Sequence, residues 1–552
     1  MASTQNQGPQ IVRVPFLGET DLRSGQEGLY SKDKFFLNAY FEPIKNPISQ
    51  EIEYHFTKRP GLLFQTSVTS ANIGRRIYFW NRTAIAYTVI GNAIQGGGDL
   101  GVTLNVTTPT AFVGIAETRL GATTQYLGMN TGSALYLIAV DNSVIVMNNV
   151  PILTSSVANP TVITTNGNHN LNTGNKIIIR NHVGSTPSIN DTIFTITRTG
   201  ATTFTIPVNV TVGGTGGTIG VFPANTTGDL VYMDGYWFVI DNKNQIWNCK
   251  VDDPTTWAIT DFINSQMQPG SGVALARQSN FLIALGDRHF QLFIDNANPF
   301  GSPLANVEQG MQQIGCADNG SVAFNENTVY WVSNTQVGGF SVFRLDGTTN
   351  LKDIASPSLR RAFQEASSPT FRGVILRHSG HIFYILSIIS GINGSTWVYD
   401  QGLDIWQQWS DTSGLSRWPI VDLTHTTFTT ISALHISNGN RYVISADIFQ
   451  DDSVNFPVIV ETNPLTFDTM ERKFYNRVEL IGDKQSGTAN VDISYTDDDF
   501  GTFSPPRTFD ITQTRAFSAS WGNSRRRAWK VSYTGNTAFR ALGLEFVIEK
   551  EG

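Results

Sequence analysis

The sequence predicts an all-β protein: a β-propeller of about six to seven blades, a small β-module inserted into it, and a C-terminal β-sandwich. Three observations predict this. Charged residues are only 15% of the chain, well below the roughly 25% usual for soluble domains, and Thr, Asn, Ser and Gly fill the gap. Thr suits a pleated surface, while Gly and Asn accept positive φ in tight turns. Hairpin signals recur along the middle of the chain, and strand spacing changes near its end. At 552 residues there is length for three or four domains. Helix-forming runs are scarce, and Ser358 to Ala366 is the one short helix expected.

Residues 1–62 show little periodicity and hold the aromatic stretch Phe35 to Pro43 and the turn signal Pro60-Gly61. They are expected to form an arm that packs on the body or on a neighbouring subunit. Residues 63–150 and 222–460 carry the hairpins. Arg76 to Trp80 pairs with Thr83 to Val89, Ala134 to Val140 with Ser143 to Met147, and Tyr236 to Ile240 with Gln245 to Cys249. Phe281 to Leu285 pairs with His289 to Ile294, Thr328 to Val332 with Gly339 to Leu345, and His381 to Ile389 with Ser395 to Asp400. Alternation broken by short polar turns is the hairpin signal. Two pairs run on to a closing tryptophan, at Trp257 and at Trp406 and Trp409. At about 45 residues per four-stranded blade the segment holds roughly seven. Two stacked β-sandwiches are the alternative reading of the same strands.

Residues 151–221 shift abruptly to Thr, Gly, Asn and Val and end in the glycine-rich run Gly213 to Gly217. They are expected to fold autonomously and to project from a surface loop, where insertions are tolerated. Residues 461–552 give six strands at regular spacing, the pattern of a compact sandwich.

Formal net charge is −7, with no basic tail, which argues against a dedicated nucleic-acid-binding domain. Passing contact with duplex DNA stays open. Cys249 and Cys316 match no metal or redox spacing and read as buried thiols. The N-terminus lacks the charged and apolar regions of a signal peptide. The longest apolar run, His381 to Ile392, is too short for a membrane span and reads as a buried strand. Folding in a reducing cytoplasm is expected.

No GxSxG elbow, HExxH or Walker motif occurs. Asp400 and Asp404 are close enough in sequence for a glycosidase pair, but in a blade turn they read as caps on backbone amides. His378 and His381 lack a third metal ligand and read as satisfied strand histidines. Thr496-Asp497-Asp498-Asp499-Phe500-Gly501-Thr502-Phe503 looks like a degraded Asp-box turn, Ser-x-Asp-x-Gly-x-Thr-Trp, with Thr496, Asp498, Thr502 and Phe503 aligned. The rival reading, a calcium loop, lacks the ligand spacing. Arg525, Arg526 and Arg527 are the sharpest basic spot: a solvated strand edge, a salt-bridged subunit contact, or a phosphate contact. No catalytic, cofactor or metal residue is assigned, and no enzyme activity is expected.

The N-terminal pattern adds a resemblance. Pro15-Phe16-Leu17-Gly18, Arg23-Ser24, Leu37-Asn38-Ala39-Tyr40-Phe41-Glu42 and Arg59-Pro60-Gly61-Leu62 together resemble the opening of the packaged-DNA stabilisation proteins of short-tailed phages. Ala39 and Phe41 stand where Leu and Pro are usual there, and Arg59 where Thr is common. Arg23, Ser24, Asn38, Tyr40, Glu42, Pro60 and Gly61 are the residues that carry the likeness. Residues 151–221 also resemble a small β-module of phage tail and baseplate proteins, through Asn168 to Asn175 and the Phe194 and Phe204 strands. The resemblance implies a tail nozzle or hub, a hexameric ring beneath the portal and its adaptor protein. Such a ring would retain packaged DNA and pass it on ejection, touch duplex DNA transiently in its channel, and meet tail fibre or needle proteins. The alternatives are a receptor-binding or polysaccharide-degrading tail protein and an unrelated propeller adaptor.

Overall fold

The computed structural model describes residues 9–17, 35–47, 50–67, 72–106, 111–122, 124–265, 269–335, 339–390, 393–427, 430–486 and 489–551. The chain is all-β with one short α-helix, Pro357–Glu365, and one 3₁₀ turn among these residues. Ser356 caps the helix by accepting from the Leu359 amide, and Leu359 and Phe363 fix it to the body.

Five separate four-stranded antiparallel sheets are set in succession as propeller blades. They begin at Gly74–Trp80, Val231–Met233, Gly272–Gln278, Ala323–Phe324 and Ile420–His425. Each of the six foreseen hairpins is present. Their turns form because short polar side chains hold them: Asp141 accepts from the Ser143 amide at 3.0 Å, and Asp241 accepts from Lys243 and Gln245 at 2.8 and 2.9 Å. Asn142 and Asn244 take the positive φ the turns need.

The fifth of these sheets is closed by the far end of the chain. Ile420–His425, Ile431–His435 and Arg441–Ser445 take Gly61–Thr66 as their fourth strand, with Leu62 opposite Ile444. Two further four-strand meanders, starting at Gly114–Glu117 and Thr370–His378, are built into sheets of eleven and nine strands. Neighbouring sheets bury their strands on both faces. Trp331 is fully buried among Phe290, Phe343 and Leu345, and Tyr330 stacks on Tyr384 at 4.8 Å. Full burial of such a side chain is worth about 1.5–3 kcal/mol, which is why these strands read as near-continuous apolar runs.

The inserted segment departs from the expectation. Its strand Lys176–Arg180 pairs in parallel with Val144–Met147, extending that meander outward. Ile177 and Ile179 pack on one side with Val144 and Val146, while Ile178 packs on the other with Ile145, Met147 and Phe222. The two ends do meet, Val150 opposite Ile219. The segment is therefore a graft that shares its parent's core, not an autonomous projection. Parallel pairing leaves no turn signature in the sequence.

The remaining strands form two sheets around one core. Ala39–Lys45, Ile52–Lys58, Arg540–Lys550, Lys473–Gly482 and Ala516–Ala519 make one, with Gln10–Pro15 along Arg540–Lys550. Phe35–Leu37, Val458–Glu461, Ala528–Tyr533, Asn490–Thr496 and Arg507–Asp510 make the other, continuous with the meander that ends at Ile405–Trp409. Phe41, Phe56, Tyr475, Trp529 and Phe546 lie between them. Most of the described part of residues 1–62 is thus strand in sheets of the same chain.

Candidate functional site

Asn38 and Arg59, twenty-one residues apart, meet at a buried node between the propeller and the two-sheet unit. Asn38 has φ 56°, a left-handed conformation that Asn tolerates better than most residues. Its amide donates to the Ser410 hydroxyl at 2.7 Å and to the Pro457 carbonyl at 2.8 Å, and its Oδ1 accepts from the Ser410 amide and from Arg59 Nε. Arg59 is wholly buried and forks onto Asp451, at 2.6 Å and 3.0 Å, while donating to the carbonyls of Pro60 and Ser410. Its guanidinium lies 3.8 Å from the Phe456 ring. Lys58 reaches the other side of this core, Nζ donating to the Gly535 carbonyl at 2.7 Å. Burial, then the neighbouring Arg59, pushes its ammonium down to about 7.

Gly61 follows directly. A Cβ there would sit 2.2 Å from the Gln450 carbonyl oxygen, so only glycine lets the closing strand pass the loop that carries Asp451. Tyr40 donates to Glu42 at 3.1 Å, and Glu42 pairs with Arg540 at 3.2 Å. The motif residues Asn38, Pro60 and Gly61 therefore converge on one junction, and Tyr40 and Glu42 brace its flank. Arg23 and Ser24 lie outside the described residues.

The propeller axis holds a second concentration of charge. A cavity of about 250 Å³ is lined by the first strand of all five sheets and of both further meanders, through residues such as Arg76, Ile115, Val231, Ile375 and Asp422. Arg76 lies 3.5 Å from Asp422, and Asp422 accepts from the Ile77 amide at 2.9 Å. Arg76 also lies over Phe112 at 4.8 Å. Asp318 accepts from the Phe371 amide at 2.8 Å. A cavity of this size has no room for a duplex.

Asp229 faces this cavity and is buried, with Thr227 Oγ1 donating to it at 3.1 Å. Burial raises its carboxyl to about 8, against about 3.9 in an unfolded chain. The protonated form is the one the fold prefers, so this contribution is complete below about pH 4 and is lost as pH rises through 8. One pKa unit is about 1.4 kcal/mol, and a displacement half as large would still be worth about 3 kcal/mol. Asp229→Asn is expected to raise the unfolding midpoint, by a margin that widens between pH 5 and pH 8. Parallel melting curves of both proteins across that range check it.

The arginine run divides. Arg527 is 1% exposed, forks onto Asp497 at 2.7 and 2.8 Å, donates to the Trp521 carbonyl and lies 3.6 Å from the Tyr495 ring. It is a core residue, which corrects its place among the candidate subunit contacts. A run of three side chains entering a strand cannot share one face. Arg526 pairs with Asp499, and Arg525 donates to the Met470 carbonyl; both are exposed. The Asp-box-like turn closes on Asp498, which accepts from the Thr502 amide at 2.9 Å and from the hydroxyls of Thr496 and Thr502. These bonds hold its carboxyl well below the usual range. Phe500 occupies the glycine position at φ 66°, and the Phe503 ring faces Lys530 at 5.0 Å.

Sequence reasoning missed Asp229, Ser410, Asp422 and Asp451. The partners of Ser410, Asp422 and Asp451 lie hundreds of positions away, and Asp229, bonded to the neighbouring Thr227, is brought to the axis only by the fold, so nothing local marks them. Asp400 caps the Gly402 amide at 2.8 Å and binds His381 at 2.7 Å. Among the described residues no group of three or more His, Cys, Asp or Glu is placed to hold a metal, and no helix is long and apolar enough to cross a membrane.

Residues 54–426 match the family model Phage_stabilise, described as "Bacteriophage P22 Gp10, beta-propeller". The chain belongs to this family. It is a structural phage protein, a virion component of the packaged-DNA stabilisation group, and the family is not one of enzymes. The match takes in Arg59, Gly61 and every first strand at the axis, while Asn38, Tyr40, Glu42 and Asp451 fall outside it. No curated protein sequence matches the chain. Solved structures are similar at 9% identity: a chain of the mitotic checkpoint complex (TM-score 0.35, 73% of this chain and 96% of that one) and an exo-β-1,3-galactanase from Phanerochaete chrysosporium crystallised with galactose (0.25, 81% and 96%). A third is KlHsv2 with loop 6CD replaced by a Gly-Ser linker (0.25, 61% and 97%). At these scores the likenesses carry no argument.

Proposed function

We propose that this family member is the nozzle or hub of a short tail: copies form a ring, hexameric by resemblance, beneath the portal and adaptor. The ring retains packaged DNA and passes it during ejection. Family membership over residues 54–426 carries the reading. The axial cavity supports where the channel runs. An axis crossed by Arg76, Phe112 and Asp422 leaves no room for a duplex, so the passage lies between copies. In this reading both meanders in the larger sheets count as blades, which makes seven. The two sheets around Phe41 and Trp529 are a sandwich completed by the N-terminal strands. Tail fibre or needle proteins are the neighbours below.

A ring of subunits at −7 each repels phosphate along its channel, so DNA slides and retention is mechanical. The isolated protein is expected to bind duplex DNA weakly, without sequence preference, with affinity falling steeply as salt rises. Filter binding or anisotropy at two salt concentrations tests this. Nanomolar, sequence-selective binding at physiological salt would overturn the acidic channel.

A further inference from the structure

A depression of about 1150 Å³ opens at the mouth of the axis. It runs across the first hairpins of the sheets beginning at Gly272–Gln278, Ala323–Phe324 and Ile420–His425 and of the meander beginning at Thr370–His378. Phe324 and Ile375 line both it and the axial cavity. Phe324 is 44% exposed for an aromatic side chain on a groove wall.

Its charge runs against that of the chain. Arg277 is held in place by carbonyls, Nε donating to Ser279 at 3.0 Å and Nη1 to Tyr232 at 3.1 Å. Among the described residues no carboxylate forms an ion pair with it. Arg377 meets Glu326 at 3.5 Å, both well exposed, a geometry worth little in water. Among the described residues Glu326 is the only acidic side chain that lines the groove; Asp400 beside it is taken up by His381, and Glu42 by Arg540. Two arginines on a partly apolar trough, in a chain of net charge −7, form a local reversal that the fold holds in place.

We infer that this groove binds an extended acidic peptide segment of another protein. Its carboxylates meet Arg277 and Arg377, and an apolar side chain between them lies on Phe324 and Ile375. A carboxylate accepts from a guanidinium in forked, charge-assisted bonds, and Arg277 is already oriented for this, so little side-chain entropy is lost. Nucleic acid fits worse, because phosphates call for a continuous basic strip and here an apolar floor separates the arginines. The inference goes beyond the ring and the DNA channel and depends on neither.

The full-length protein is titrated into a fluorescein-labelled peptide of about ten residues alternating glutamate and leucine, read by anisotropy. Matched arms use a lysine–leucine peptide and a single-stranded oligonucleotide. Micromolar binding of the acidic peptide alone is expected, with affinity falling about tenfold in Arg277→Ala, the loss of one charge-assisted contact. Arg377→Glu, at an exposed position, is expected to fall at least as far and gives an independent reading should Arg277→Ala loosen its sheet. No binding of the acidic peptide, unchanged affinity in both variants, or equal binding of the oligonucleotide would overturn the inference.

Discussion

Replacing Arg59 by methionine is expected to destabilise the protein by about 3–5 kcal/mol, the cost of breaking a buried ion pair from one side. Asp451 would be left charged and almost without solvent, its fork lost, and the carbonyls of Pro60 and Ser410 would lose a donor. Methionine fills the volume beside Phe456, so the loss reports the charge and its bonds more than a cavity. The double variant Arg59→Met with Asp451→Leu is expected to recover much of it, because an apolar pair in that space leaves no orphaned charge. Denaturant unfolding of the wild type, both single variants and the double variant measures the coupling. A single-variant loss below about 1 kcal/mol would show that the node is not what joins the propeller to the two-sheet unit.

The second large effect is expected at Gly61. Valine there meets three backbone atoms, the Gln450 carbonyl oxygen at 2.2 Å and the Gln450 nitrogen and Ile448 oxygen at 2.8 Å. None can rotate away as a side chain would. The strand Gly61–Thr66 must lift from Arg441–Ser445 or push the loop with Asp451 off Arg59, so the closure and the ion pair fail together. Overpacking of this kind costs about 3 kcal/mol or more. Because the two sites share that loop, Gly61→Val combined with Arg59→Met is expected to cost less than the sum. Hydrogen exchange at the Leu62 amide, which donates to the Gln450 carbonyl at 3.0 Å, reads the parting of strand and loop directly. Protection of that amide equal to wild type would mean the crossing tolerates the side chain.

What the sequence revealed and what it hid divide along sequence distance. The hairpins were legible because turn and strands sit in one short window: Asp141 and Asp241 announce the turn, and alternation announces the strands. Gly61–Thr66 as partner to Arg441–Ser445 was not, since a pairing across most of the chain has no local mark. The inserted segment's limits showed in its composition, but its strand against Val144–Met147 did not. The arginine run showed as charge, and only the fold reveals that Arg527 turns inward onto Asp497. Asn38, Arg59 and Gly61 stood out by resemblance, and their reason, one buried node beside one crossing too tight for a Cβ, came from the structure. The axial residues Arg76, Asp229 and Asp422 had no sequence signal, because a ring of sheets gathers one residue from each turn of the chain.

Particles assembled without this protein show whether it retains packaged DNA. Genome content is measured by nuclease protection and by particle density, immediately after packaging and again after incubation. Particles lacking the protein are expected to fill normally and then to empty, and adding purified protein before incubation is expected to preserve the genome. Particles that keep a full genome without it would show that retention does not depend on this protein.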